Sequence, residues 1–266
     1  MAEVLTKAGA FVAVIIMGNL LRRAGFFKEE DFYVLSKIVL KITLPAAIIS
    51  NFSGIDLKPS MLVMTLLGFG GGILYITMAF FMSIGKEREE RAFNVLNLPG
   101  YNIGNFTMPF AQSFLGPVGV VATSLFDTGN AFVCLGGAYS VAVVTKEKNA
   151  RFSLLPVVKT LLKSLPFDAY LIMTVLSFLH VALPAPITSF TGVIGNANAF
   201  MAMLMIGVGF KLNGDSSQPG KIVRILAARY SLAIILALVF YFLLPFGIEY
   251  RQALTILALS PMSSAA

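Results

Sequence analysis

The residues best placed to do chemistry lie inside an apolar segment. Residues 100–110 read GYNIGNFTMPF: Gly100, Gly104 and Pro109 interrupt a run long enough to be a helix, just where Asn102, Asn105 and Thr107 supply amide and hydroxyl groups. Proline has no N–H and its ring clashes with the preceding turn, while glycine reaches backbone geometries closed to other residues. A helix broken here exposes free N–H groups at the start of its second half. Such a terminus carries about half a positive charge and can hold a carboxylate without a buried lysine or arginine. The expected chemistry is therefore anion binding, with Asn102 as the nearest amide and no basic residue surely buried beside it. The alternative is a Pro-kinked helix whose amides only join it to its neighbours.

Asp127, in SLFDTGNAF, is the one carboxylate well inside an apolar segment. Acids at that depth are rare and mark ion or proton pathways. Asn130, at i+3, shares its helix face, so the pair is a candidate for proton coupling. The competing role is a structural ion pair with Lys41. Lys37 and Lys41 share a face and have side chains long enough to snorkel to the interface. Asn196 and Asn198, in GVIGNANAF, either line the same cavity or bond to a neighbouring helix. His180 and Cys134 support no catalytic reading, and a single cysteine forms no internal disulfide. Because the sequence has no triad, phosphate loop, dinucleotide fingerprint or metal-ligand cluster, neither an enzyme nor a cofactor is expected.

These residues must be positioned by elements of an all-α membrane protein. Of the 266 residues, 57% are hydrophobic and 12% charged, against about 45–50% and about 25% in soluble domains. Too few charges remain to coat a soluble surface. Apolar blocks of membrane-crossing length fall near 8–24, 32–51, 60–84, 92–114, 118–143, 167–183, 187–210, 222–246 and 252–266. GFGGG at 68–72 reads as a close helix-packing face. The net charge of +7 lies between the blocks, which suits lipid headgroups and not nucleic acid. Of the 20 Lys and Arg, 14 fall in one alternating set of loops and only Lys7, Lys58 and Arg251 in the other, with Lys37, Lys41 and Arg229 inside or at the edges of spans. The positive-inside rule then places the N-terminus outside and the 85–91 and 144–166 connections in the cytoplasm.

The long connection divides the chain into a first five-span unit (1–145), a connecting loop (146–166) and a second unit (167–266). An odd number of spans makes a second copy enter the membrane inverted, the plan of many secondary transporters. Pairing the halves sets the fourth span, with Pro109, against the ninth, LTILALSPMSSAA, where Ser260 and Pro261 stand among small polar residues. Matching interruptions point to a binding site formed by two broken helices. The sequence stops at Ala266 inside the ninth span, so this plan expects a truncated chain whose tenth span is missing.

At GNLLRRAGFF (18–27), VLSKIVLKITLPAAIISNFSGIDL (34–57), YNIGNFTMPF (101–110), LPAPITSFTGVIGNANAFMAMLMIGVGFKL (183–212) and ALSPMSS (258–264) the chain resembles the auxin efflux carrier family. These are the PIN-like transporters of the bile acid, arsenite and riboflavin transporter superfamily. The resemblance implies ten helices in two inverted repeats, helices four and nine broken and crossing near the substrate, and export or exchange of small organic anions. Lys41 stands four residues before Pro45, where the family often has Asn. The short central connection suits a bacterial-type member in the plasma membrane better than a plant carrier. The expected function is secondary transport of small carboxylates by alternating access, with a membrane-embedded ligand sensor as the rival. Substrate, coupling ion and oligomeric state, a homodimer included, stay open.

Overall fold

The structure, a computed structural model, describes residues 2–53, 55–147, 153–211 and 219–263. The expected cytoplasmic charges Lys148 and Arg151 and the last three residues of the 252–266 block lie outside the described residues. Apolar blocks this long satisfy their backbone only within themselves, and the described chain is accordingly helical between short connections. The one β contact among the described residues is an isolated antiparallel bridge between Tyr101 and Met262. In chain order the helices are α1 (Ala2–Arg23), α2 (Asp31–Phe52), α3 (Pro59–Met82), α4 (Arg88–Asn97), α5 (Ile103–Lys146), α6 (Leu154–Leu161), α7 (Leu165–Phe178), α8 (Ala185–Gly209), α9 (Pro219–Phe242) and α10 (Ile248–Ala258).

Six of these are long and apolar enough to cross a membrane, and α6 with α7, bent by 80°, make a seventh if taken together. The other two expected spans are the ones with interruptions. The 92–114 block is split: α4 ends at Asn97, the helix resumes at Ile103, and it runs on past a sharp bend at Gly116 (φ +59) into the 118–143 block. In the 252–266 block the helix runs only to Ala258, the end of the 11-residue α10, before the chain unwinds. The 146–166 connection, expected as a loop, is helical over Leu154–Leu161. Its pattern explains the difference: Val157 and Leu161 are buried with Ala131 and Phe167, while Lys159 faces out.

Outward faces carry large apolar side chains such as Leu66, Phe81, Phe190, Val193, Ile235 and Phe242, a coat suited to lipid and not to water. Polar contacts sort the connections to two ends. At one, Lys211 bonds Glu29, Arg224 bonds the Met82 carbonyl, and Lys146 lies 3.5 Å from Glu89. The bonded ammonium of Lys211 holds the Glu29 carboxyl below its usual range. At the other, Ser177 donates to the Ile55 carbonyl (2.7 Å) and His180 stands 3.5 Å from Asp56. The described residues of the Lys- and Arg-rich connections therefore gather at one end.

The helices pack as two groups. In one, α1 and α7 flank α2 and α8; in the other, α3, α4 and α10 surround α5, and α9 packs against α10. Small residues set the closest approaches. A Cβ at Gly68 of α3 would run into the Phe126 carbonyl of α5, and one at Gly129 of α5 into the Thr65 carbonyl and, at 2.7 Å, the Phe69 nitrogen. GFGGG is thus a packing face. Gly129→Leu should cost about 1–3 kcal/mol or more by overpacking and lower the thermal midpoint of detergent-solubilised protein. Gly70→Leu, with nothing within 4 Å of its Cβ position, should leave the midpoint unchanged.

Candidate functional site

The interruption between α4 and α5 is held in place from two sides. Gly100 takes φ +82, and a Cβ there would meet Ser263 Cβ at 3.2 Å and Cys134 Sγ at 3.5 Å, so glycine is required both for the turn and for the close approach. Tyr101 follows, fully buried, and the Asn130 side chain treats its peptide as a sheet neighbour would. Asn130 Oδ1 accepts from the Tyr101 N–H (3.0 Å), and Nδ2 donates to the Tyr101 carbonyl (3.1 Å) and to Asp127 Oδ1 (2.8 Å). On the other side lies the unwound chain after α10. The Asn102 N–H donates to the Pro261 carbonyl (2.9 Å), and Thr107 Oγ1 donates to Ser260 Oγ (2.6 Å). The two interrupted segments foreseen from Pro109 and Pro261 therefore meet directly, through Asn102 and Pro261, 159 residues apart in the chain.

A cavity of about 490 Å3 opens beside this meeting point. One wall is Asn102, Ile103, Gly104 and Asn105 with Asp127 and Asn130; the other is the start of α2 through Lys41 and Leu44, with Lys163 to Tyr170 closing the end. The cavity thus lies between the two groups of helices. Exposed Tyr33, Lys163 and Leu165 at its mouth belong to the end rich in Lys and Arg. Gly104 and Asn105 sit in the first turn of α5, where N–H groups have no partner behind them in the helix. Asn105 adds a buried Oδ1 that makes no hydrogen bond.

The sequence candidates separate into two sets. Asn102, Gly104, Asn105, Asp127 and Asn130 share the cavity wall. Thr107, Pro109, Ser260 and Pro261 stand behind it: Thr107, Pro109 and Ser260 are buried, and Pro261 presents its carbonyl to the Asn102 N–H. Asn196 is exposed at the end of the first half of α8, away from the cavity. Asn198 is buried; its Oδ1 accepts from Thr43 Oγ1 (3.0 Å), its Nδ2 approaches Gln112 Oε1 (3.4 Å), and it bonds helix to helix. The Asp127–Lys41 ion pair is not formed. Asp127 instead accepts from Asn130 and from the Tyr170 hydroxyl (3.0 Å), while Lys41 is exposed at the opposite wall.

Three further residues were not singled out from the sequence. Tyr170 reaches Asp127 from α7, and Lys163 brings a second ammonium to the mouth. The third is Arg229, counted above among charges inside or at span edges, and the expectation of no surely buried basic residue is corrected here. Arg229 is 0% exposed and donates to the carbonyls of Leu98, Ser260 and Pro261. A signal was present: an arginine in the middle of a 24-residue apolar helix has nowhere to snorkel.

A sequence echo also becomes visible. KITLP (41–45) and NFTMP (105–109) share the pattern polar–apolar–Thr–apolar–Pro, and each coincides with a π-helical turn, over Val39–Thr43 and Ile103–Thr107. Proline gives no N–H to the carbonyl four residues back, and widening of the turn is a common response at functional sites. Both turns contribute to the cavity, through Leu40 and Lys41 and through Ile103 to Asn105.

Asn130 holds the break through both backbone groups of Tyr101. Asn130→Ala should cost roughly 1–3 kcal/mol for each buried backbone group of Tyr101 left unpaired. That should appear as a lowered thermal midpoint, which Asn196→Ala should leave unmoved.

No protein-family model, no curated protein and no solved structure matches the chain.

Proposed function

We propose that this membrane protein is a secondary transporter of small organic anions, with the carboxylate bound at the break between α4 and α5. One observation carries the reading: a cavity of about 490 Å3 reaches from the Lys- and Arg-rich end to the N-terminus of α5 and places Gly104 and Asn105 on its wall. That volume suits a ligand of metabolite size. The helix terminus attracts negative charge, Lys41 and Lys163 draw the anion inward, and the Asn102 side chain, which caps no helix N–H, is available to donate. Resemblance to the auxin efflux carriers supports the same conclusion, with the two interrupted segments as the crossing helices of an inverted repeat.

Asp127 gives the cycle its proton. A carboxylate in the wall of an anion site repels the anion, and a proton on it removes that repulsion. Proton and anion therefore favour each other's binding, and the favour is reciprocal. Movement of the α1, α2, α7 and α8 group against the other would open the cavity to the opposite side. On the positive-inside rule we read the present mouth as cytoplasmic and the N-terminus as outside, and on the short central connection we read the membrane as a bacterial plasma membrane.

Purified protein assayed against a panel of labelled organic acids, first for binding and then for uptake in proteoliposomes, tests the reading. Asn102→Ala should weaken binding of the best acid by roughly 10- to 150-fold, the loss of one hydrogen bond to a charged group of about 1.5–3 kcal/mol. Asp127→Asn should keep binding and lose accumulation driven by a pH gradient. Saturable binding with no flux would favour the sensor. On a Cys134→Ala background, Lys58→Cys should label from outside intact cells with an impermeant thiol reagent and Lys86→Cys should not; the opposite pattern inverts the topology.

A further inference from the structure

Arg229 raises a question that anion transport does not answer. It lies near the middle of α9 and is 0% exposed, where a charge ordinarily needs an acidic partner. Among the described residues no carboxylate stands within 4.0 Å of it. Its guanidinium is held by backbone oxygen instead. Nη1 donates to Leu98 (2.7 Å), and Nη2 donates to Ser260 (3.1 Å) and reaches Pro261 (3.4 Å). Leu98 closes α4, and Ser260 and Pro261 follow α10. The three oxygens therefore come from the carbonyl ends of both interrupted helices, where partial negative charge collects. The rings of Tyr75 and Tyr101 lie 4.4 and 5.1 Å from Cζ and present their negative faces to the same cation.

Carbonyl oxygens from the unwound ends of two half-helices are the ligand set that holds an alkali cation in carriers built on discontinuous helices. Here the set is already satisfied by a side chain. We propose that Arg229 is a tethered cation that permanently fills the carbonyl cage where the two interrupted segments meet, so that the meeting point assembles without sodium. A diffusible ion would make this geometry depend on its concentration through mass action, whereas a guanidinium fixed to α9 does not. Planarity matters as well, since one fork reaches oxygens on two different segments and a lysine ammonium is a single point. The inference rests on the bonded geometry and not on the identity of the transported anion.

Thermal unfolding of the purified full chain in detergent, in sodium, potassium or choline chloride at matched ionic strength, is the test. The wild-type midpoint should be the same in all three. Arg229→Ala should lower it by roughly 6–20 °C, as expected when a buried charge is removed from its partners. Millimolar guanidinium or sodium should restore part of the loss in proportion to concentration, and choline should not. A wild-type midpoint raised by sodium over choline overturns the proposal, as does an Arg229→Ala protein that neither cation rescues. Should that variant fail to fold, Arg229→Lys and Arg229→Gln decide. Lysine keeps the charge and glutamine keeps donors without it, so Lys is expected to be the more stable; the reverse order shows hydrogen bonding without a cation role and overturns the proposal.

Discussion

Everything at the centre of this molecule depends on one constraint: a helix interrupted within an apolar medium must find partners for the backbone groups it frees. Unpaired N–H and carbonyl groups cost several kcal/mol each away from water. The chain meets that cost with side chains carried by other helices. Asn130 of α5 pairs with both backbone groups of Tyr101, and Arg229 of α9 collects the carbonyls of Leu98, Ser260 and Pro261. The interruptions also serve each other, through the Asn102 N–H and the Pro261 carbonyl. Remove any of these and the break becomes a liability.

The solution also separates charge. The carbonyl ends of α4 and α10 turn toward Arg229, while the N-terminal turn of α5 faces the cavity with Gly104 and Asn105. Tyr101 stands between, its ring near the guanidinium and its residue on the cavity wall. The N-terminal turn of α5 is thereby left facing the cavity while the carbonyl ends of α4 and α10 are occupied by Arg229. In the proposed cycle this division explains how an anion is recognised beside an acid, Asp127, whose oxygens are occupied by Asn130 and Tyr170.

Packing distinguishes what is fixed from what can move. Contacts within each helix group run through small residues, Gly68 with α5 and Gly129 with α3 in one, Gly18 and Gly207 between α1 and α8 in the other. Such interfaces place backbones too close for sliding. Between the groups lies the cavity, bridged by polar contacts such as Tyr170 to Asp127 and Gln112 to the Gly195 carbonyl (3.0 Å). Hydrogen bonds of this kind exchange more readily than interdigitated backbone, which suits the movement between the groups that the proposed cycle requires.

Local pattern determined a good deal by itself. Apolar block length gave the helices and their membrane setting, GFGGG the packing face, and the glycines and proline of GYNIGNFTMPF the interruption, because each of these is a property of neighbouring residues. The same is true of Asp127 with Asn130, one turn apart. What only the tertiary structure decided are pairings between distant residues: Arg229 with Leu98, Tyr170 with Asp127, Asn198 with Thr43. Periodicity says which face of a helix is polar and not which helix it meets. Asn198 and Asn196 look alike in GNANAF, yet one is buried against α2 and the other is exposed, since two positions along a helix turn the side chain through more than half a circle. Arg229 carried the same ambiguity: its charge was countable in the sequence, but only the convergence of two broken helices on one guanidinium gave it a place.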